Sequence, residues 1–387
     1  MCLLLICYSC VRSKQSNHGN SIQLDVFIED SVTYYPIKGD RITVDLDSPQ
    51  KASLFDYFKH IELIPLETND DVLIGNMTKI VYHQSNFYTL DRKQLIIQVF
   101  DKEGKFISKL GKRGQGPGEY IRVDDIIVNP FTGNIDFLNT FGLIHSYDLI
   151  GNQIKTIRVT NNELRAIHYF VALNENTYVI NAVTYPFKVI YFDVDEMKML
   201  HQDYEENELL SFFHTMYPFY EYHGKWYFFS SVANGTYELG SESLVNAYVW
   251  DFGKYNYNAD NILISETMRN DYDKMMEEYR RLPYMINIQG QNNRYVMAQI
   301  ILKNVVYANL MFDKSTQECK FIKHFDESVE FQPLQVTNEY VLSYCIHDEL
   351  EKYINKEMLD EINRQKFEAL MNAKEEENPI IIKYYFK

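Results

Sequence analysis

The sequence has little positive charge and no glycine-rich phosphate-binding motif. Its 38 Lys and Arg residues are outnumbered by 54 Asp and Glu residues, which gives a net charge of −16. Neutralising a phosphate backbone needs clustered basic side chains, so this balance excludes a general nucleic-acid binder. Among the 16 glycines, no Walker or Rossmann phosphate-binding motif stands between a strand and a helix.

Motifs of known catalytic and metal sites are also missing. The chain has no CxxC…CxxC zinc spacing, no GxSxG elbow and no Cys–His pair at a recognisable spacing. The ten histidines are scattered, and the densest candidate for a metal site is His347–Glu349. Its acidic residues equally suit the beginning of a helix. We therefore assign no catalytic residue, no metal site and no cofactor from the sequence.

Three of the five cysteines stand in the first ten residues, "MCLLLICYSC". The apolar run Leu3–Ile6 is too short to span a bilayer and resembles the end of a secretory h-region. It is followed by Cys10 and a polar tether, as in a bacterial lipoprotein signal. We predict that residues 1–20 are a lipoprotein signal and tether with lipidation at Cys10. The alternative is a cleaved or disordered leader.

Lipidation would attach the chain to the outer membrane, because each buried acyl methylene contributes about 0.8 kcal/mol. Arg12 and Lys14 follow the cysteine where surface-exported lipoproteins usually carry acidic residues. The sequence therefore leaves open whether the chain faces the cell surface or the periplasm. The other two cysteines are Cys319 and Cys345, and the sequence does not decide whether they form a disulfide.

The abundant residues favour strands: 46% of the chain is hydrophobic, with 31 Tyr and 24 Phe. An aromatic–Asp pair ends an apolar run five times, at Phe100–Asp101, Tyr147–Asp148, Phe192–Asp193, Trp250–Asp251 and Phe312–Asp313. Successive aspartates are 47, 45, 58 and 62 residues apart. Propeller blades of four strands repeat at roughly 40–50 residues, and insertions lengthen some of them. The spacing therefore predicts a β-propeller.

Each aromatic–Asp pair is predicted to end a third strand, with the aspartate capping the turn into a fourth strand. A sixth blade begins with "LQVTNEYVLSYC" and "PIIIKYYFK" and is one strand short. The segment "HIELIPLE", His60–Glu67, can supply that strand and so remove an exposed edge. We predict an all-β, six-bladed propeller over residues 57–387, closed by an N-terminal strand, with residues 21–56 as an N-terminal extension.

Two segments show helical rather than strand periodicity. The longer one is an insertion in blade six, about residues 348–376, and the shorter one is "SETMRNDYDKMMEEYRR" before blade five. In the insertion, the apolar residues at helical spacing are Leu350, Ile354, Leu359, Ile362, Phe367 and Leu370. We expect both segments to pack locally, and binding to a partner protein is the alternative.

The glycine run "GKRGQGPGEY" follows the fourth strand of blade one and precedes the first strand of blade two. Its glycines permit positive φ angles, so we interpret it as a structural connection. Lys112, Arg113 and Glu119 in this run are the candidate residues of a ligand-facing loop. A second candidate is an aromatic cluster in blade four that could stack on sugars, although we expect it mainly to pack the core. Its members are Tyr217, Phe219, Tyr220, Tyr222, Trp226 and Tyr227.

The stretch "FDKEGKFISKLGKRGQGPGEY" resembles the signature of the six-bladed β-propeller lipoproteins of Bacteroides and relatives, which are distantly similar to NHL-repeat propellers. In that family an xFDxxGxF hairpin is followed by a GxxGxGPGEY turn, and the later blades of this chain match less closely. The resemblance implies a propeller fold and a location in the cell envelope. It provides no catalytic residues that could be transferred.

These observations lead to one expected function and one alternative. We expect a non-enzymatic, lipid-anchored binding or scaffold protein of an outer-membrane assembly, for example beside a TonB-dependent nutrient transporter. Its ligand would be a glycan or a peptide. The alternative is a lyase or hydrolase that acts on a glycan or peptide in the central funnel, since propellers host many functions.

Overall fold

The computed structural model describes residues 27–29, 32–116, 119–159, 167–183, 186–206, 214–215, 217–257, 271–303, 306–373 and 377–387. Six sheets, each with at least four antiparallel strands, surround a central channel, which confirms the predicted six-bladed β-propeller. The first strands of blades one, two and three contact one another in turn around this channel, as do those of blades four, five and six. The second strands are buried along nearly their whole length, because neighbouring blades cover both of their faces.

The first three blades are regular. The strands of blade one are Met77–His83, Asn86–Asp91, Ile96–Asp101 and Phe106–Leu110. Those of blade two are Asp125–Val128, Ile135–Leu138, Leu143–Tyr147 and Gln153–Arg158. Those of blade three are Ile167–Ala172, Thr177–Ala182, Phe187–Asp193 and Lys198–Glu205.

The last three blades carry the additions. The strands of blade four are Phe219–Tyr222, Lys225–Phe229, Gly235–Leu239 and Leu244–Asp251, with Arg41–Thr43 as a fifth. Those of blade five are Tyr284–Gln291, Tyr295–Leu302, Val306–Asp313 and Glu318–Ile322. Those of blade six are Gln335–Val336, Tyr340–Cys345, Ile380–Phe386 and Phe58–Pro65.

The remaining elements are short. Two strand pairs lie outside the blades, Phe27–Glu29 with Val32–Tyr34 and Lys112–Arg113 with Glu119–Tyr120. The α-helices are Tyr272–Tyr279, Leu350–Tyr353 and Glu361–Met371. The 3₁₀ helices are Leu54–Asp56, Gly253–Tyr255, His347–Glu349 and Lys356–Met358.

The N-terminal strand closes the ring as the sequence predicts, although its bounds are Phe58–Pro65 rather than 60–67. It pairs in antiparallel register with Ile380–Phe386, so that Leu63 lies opposite Ile382. The outer edge of this strand is covered by the helix Glu361–Met371. Asn363 Oδ1 accepts from the backbone N–H of Leu63 at 2.8 Å, and Lys366 Nζ donates to its carbonyl oxygen at 2.8 Å. The insertion therefore packs locally and satisfies an edge strand.

Of the six apolar residues at helical spacing in the insertion, five are buried and one is exposed. Leu350, Ile354, Leu359, Phe367 and Leu370 belong to the core of blade six. Ile362 is 66% exposed, because it lies in the first turn of the helix on the side away from the blade. Within the described residues His347 belongs to no group of three metal-ligating side chains, and its Nε2 lies 2.8 Å from the carbonyl oxygen of Leu370.

The aspartates that follow the aromatic residues cap turns, and four of the five cap the predicted turn from the third strand into the fourth; Asp251 is the exception. Asp101 Oδ1 accepts from the backbone N–H groups of Glu103 and Lys105 at 2.9 and 2.8 Å. Asp148, Asp193, Asp251 and Asp313 each accept backbone N–H bonds in the same way. Each carboxylate accepts hydrogen bonds from backbone N–H groups that have no backbone acceptor in the tight turn. These aspartates are thus structural.

Blade four departs from the predicted strand order. The pair Trp250–Asp251 ends the fourth strand, not the third. The third strand ends at Leu239, 46 residues after Asp193 (from 193 to 239), which restores the spacing of the earlier blades. After Asp251 the chain turns into a 3₁₀ helix, and Arg41–Thr43 pairs in parallel with the open edge. The spacing of 58 residues is therefore long because it runs to the end of the fourth strand of this blade and not to the end of the third.

Candidate functional site

A cavity of about 930 Å³ occupies the central channel and is lined by the first strands of all six blades. The first residues of these strands lie at one end of the channel, and their last residues lie at the other. The end with the strand starts contains Lys79, Asp125 and Tyr217. The end with the strand termini contains the exposed residues His223 and Asn338. The volume falls within the range of about 300–1,000 Å³ typical of small-molecule sites.

A hydrogen bond and an ion pair lie at the end of the cavity where the first strands begin, which we call the inner end. The Tyr217 hydroxyl donates to the backbone carbonyl of Thr78, on the opposite blade, at 2.5 Å. Lys79 Nζ forms an ion pair with Asp125, whose side chain is 1% exposed. The second oxygen of that carboxylate accepts from the backbone N–H of Phe170 at 3.2 Å. Burial raises the pKa of Asp125, and Lys79 opposes that rise.

Aromatic side chains form a large part of the cavity wall. They include Tyr82, Phe131, Tyr169, Phe170, Phe219, Tyr220, Tyr222 and Trp226. Tyr220 stacks on Tyr227 at 5.0 Å between ring centroids and exchanges a hydroxyl hydrogen bond of 2.9 Å with Tyr248. These contacts fix the position of the Tyr220 ring in the absence of a ligand.

The aromatic cluster was expected mainly to pack the core, and the structure gives it a second role. Five of its six members line the cavity, and Tyr227 is the exception. Tyr220 and Tyr222 do both, since they are buried within the core of blades four and five and also border the channel. The dense run of aromatics on and beside a first strand is the signal that could have identified this wall, because the first strand of every blade borders the channel.

The glycine-rich loop lies away from this cavity. Lys112 Nζ pairs with a Glu119 oxygen at 2.6 Å, and another Glu119 oxygen accepts from the backbone N–H of Gly116 at 2.9 Å. Arg113 reaches the carbonyl oxygen of Gln94 at 3.4 Å. None of these three charged residues lines the cavity, although Lys112 is largely exposed. A ligand-facing role for Lys112, Arg113 and Glu119 stays a prediction.

Other sequence-derived candidates are placed as follows. Cys10 and the rest of the predicted signal, residues 1–20, lie outside the described residues. Cys319 and Cys345 are free thiols. Among the residues that the structure describes, no three His, Cys, Asp or Glu side chains are arranged to hold a metal ion. No helix in the described part of the chain is both long and apolar enough to cross a bilayer.

The fold and the channel define a six-bladed β-propeller with an aromatic-lined central cavity. Residues 40–385 match the family model described as a domain of unknown function, DUF4934. Because the match spans almost the whole chain, the protein belongs to the DUF4934 family. No curated protein matches the chain significantly.

Two solved structures from Bacteroides share the fold. One is a protein of Bacteroides fragilis described as a candidate exported protein; its TM-score is 0.65 and its identity 16%, over 90% of this chain and 99% of the other. The second is a DUF4221 family member from Bacteroides vulgatus, with a TM-score of 0.50 and an identity of 11%, over 85% and 98% of the two chains. Identities this low establish similarity of fold alone.

Proposed function

We propose that the protein is a lipid-anchored β-propeller of the cell envelope that binds a ligand in its central channel as part of an outer-membrane assembly. The observation that carries the binding role is the aromatic-lined cavity of about 930 Å³. Large, preformed apolar cavities with a few polar groups are typical of ligand sites. The Cys10 leader and the fold shared with a candidate exported protein support the envelope location.

The test of the envelope assembly is a pull-down of the tagged full chain from mildly solubilised envelopes of its own organism. We expect a stoichiometric outer-membrane partner, such as a TonB-dependent transporter, and we expect Cys10→Ala to lose it. Metabolic labelling with an alkynyl fatty acid should mark the wild-type chain and not Cys10→Ala. The matched control is Cys7→Ala, which alters a neighbouring cysteine of the same leader.

Two results would contradict the anchored assembly. One is a chain that remains unlabelled in the wild type, and the other is a chain that is recovered alone from wild-type and variant cells. Neither result bears on whether the cavity binds a ligand, which is measured separately with purified protein.

The alternative function, a glycan- or peptide-cleaving enzyme, is favoured by one observation at the inner end of the cavity. Asp125 is a buried carboxyl with a raised pKa, and the amine of Lys79 forms an ion pair with it. A carboxyl and an amine in a cleft can act as a general acid and base. If cleavage products of a bound ligand accumulate with the wild type and not with Asp125→Asn, the enzymatic function replaces the binding function.

A further inference from the structure

The side-chain amide of Gln289, on the first strand of blade five, has a fixed orientation. Its Oε1 accepts hydrogen bonds from Trp250 Nε1 at 2.8 Å and from the hydroxyls of Tyr248 and Thr236 at 3.1 Å each. An indole N–H can only donate, so the atom that it contacts must be the amide oxygen. The amide nitrogen is therefore held on the opposite side.

That nitrogen is a buried donor on a residue that lines the cavity. Gln289 is 3% exposed, and its Nε2 has no hydrogen-bond partner among the residues that the structure describes. His83, which lines the cavity from blade one, also has a buried Nε2 without a partner in the described part of the chain. A buried polar group left unpaired costs about 1–3 kcal/mol, so a partner at these two atoms is favoured. The cavity thus offers one fixed donor and one imidazole nitrogen that can donate or accept.

The charges around the cavity restrict the class of ligand. Lys79 and Asp125 neutralise each other at the inner end. Glu221 is exposed near the opening and accepts from the backbone N–H of Gly224 at 2.6 Å. An anionic ligand would meet this carboxylate with no unpaired cation among the described lining residues to offset it. The lining therefore disfavours an anionic ligand, and a neutral ligand needs no counter-charge there.

The ligand must combine flat apolar faces with groups that both donate and accept hydrogen bonds. Trp226 and Phe219 are partly exposed rings on the cavity wall, and such rings stack on apolar faces. Hydroxyl groups can accept from Gln289 and can either donate to or accept from His83. Sugars carry hydroxyls around a ring with apolar faces, so they meet all three requirements.

We propose that the channel cavity binds a neutral oligosaccharide, with Gln289 Nε2 donating to a sugar oxygen and Trp226 stacking on a sugar face. This inference rests on the proposed ligand-binding function and names the class of its ligand. It makes Gln289 and Trp226 the residues that select the ligand, and His83 an additional hydrogen-bonding group.

Isothermal titration of the full chain with maltohexaose, cellohexaose, xylohexaose and mannohexaose tests the inference. We expect at least one of these sugars to bind with a Kd below about 1 mM and to change the fluorescence of Trp226. The only other tryptophan, Trp250, is fully buried. Trp226→Ala and Gln289→Met should each weaken binding about tenfold or more, equivalent to about 1.4 kcal/mol. The matched control is Ile150→Ala, at a site that is 84% exposed.

Gln289→Met also removes the acceptor of Trp250, so its thermal unfolding is recorded beside the titration. If Gln289→Met does not fold, the inference is tested with Trp226→Ala alone, because Trp226 is only partly buried. The inference is overturned if none of the four sugars binds, or if binding is equal in the wild type and in the folded variants. Binding of tetra-alanine alone, dependent on Trp226, would overturn the saccharide class and leave the cavity as a ligand site.

Discussion

Tyr217 and Thr78 are joined across the channel, from blade four to blade one, by a hydrogen bond of 2.5 Å. The bond links opposite sides of the ring at a point where no strand pairing does so. Tyr217→Phe should lower the free energy of unfolding by about 1–2 kcal/mol, because the partly buried Thr78 loses the donor to its carbonyl oxygen. Denaturant unfolding measures this loss.

The matched control for Tyr217→Phe is Tyr307→Phe, which removes a hydroxyl from a side chain that is 42% exposed. It should change the stability by a few tenths of a kcal/mol at most. Equal effects of the two variants would show that the cross-channel bond does not stabilise the ring.

Gly104 lies in the turn of blade one that packs on the closing strand. Its φ is +87°, and a Cβ there would lie 2.2 Å from the carbonyl oxygen of Pro65. Gly133 also has a positive φ, +71°, but has nothing within 4 Å of such a Cβ. Gly133→Ala should therefore cost about 1–2 kcal/mol from backbone strain alone.

Gly104→Ala should cost at least about 2 kcal/mol more than Gly133→Ala, because steric overlap adds to the same strain. Thermal unfolding of both variants provides the comparison. Similar melting temperatures would mean that the turn moves away from Pro65 without cost, which the backbone contact does not predict.

The fifth strand of blade four, Arg41–Thr43, belongs to the N-terminal extension, and its packing can be tested separately. Ile42 is 1% exposed and packs in the same core as Trp250. Ile42→Ala should cost about 2–4 kcal/mol, through lost burial and the resulting cavity. The neighbouring Arg41 forms an ion pair of 3.1 Å with Asp251, but its side chain is 59% exposed. Arg41→Ala should cost less than about 1 kcal/mol. Chemical denaturation that ranks the two in the reverse order would contradict a packed strand.

Lys314 should make stability depend on pH. Its Nζ donates to Gln291 Oε1 at 2.9 Å and to the carbonyl oxygen of Asn292 at 2.7 Å, and burial lowers its pKa from 10.5 to about 7. Between those two pH values the unfolded chain binds the proton and the folded chain does not. The contribution of Lys314 to stability therefore increases as the pH rises from 7 to 10.5, and it is lowest below pH 7.

The difference in unfolding free energy between the wild type and Lys314→Met isolates this effect from other titrations. The unfolding free energy of Lys314→Met relative to the wild type should be highest below pH 7. It should decrease progressively as the pH rises to 10.5. Lys323→Met, at an exposed lysine, should show no such trend. A flat difference for Lys314→Met would mean that the cation remains charged over the face of Tyr222, 4.3 Å from its ring centroid.

Only part of the channel wall could be predicted from sequence patterns. The aromatic run from Tyr217 to Trp226 is visible as sequence, but alternation along one strand cannot say which rings face the channel and which face the next blade. The Nε2 of Gln289 could not be predicted as a donor, because its orientation depends on Trp250 and Tyr248, about 40 positions earlier in the chain. The glycine run is conspicuous in sequence, yet its charged residues lie away from the cavity.

The sequence by itself determined the number of blades, the capped turns and the strand that closes the ring. These features depend on local alternation, on an aspartate beside an aromatic residue, and on one strand missing from the last repeat. The tertiary structure decided the parallel strand on blade four, the bond between Tyr217 and Thr78, and the environment of Gln289. Each of these joins residues that become neighbours only when the blades pack around a common axis, so no local pattern encodes them.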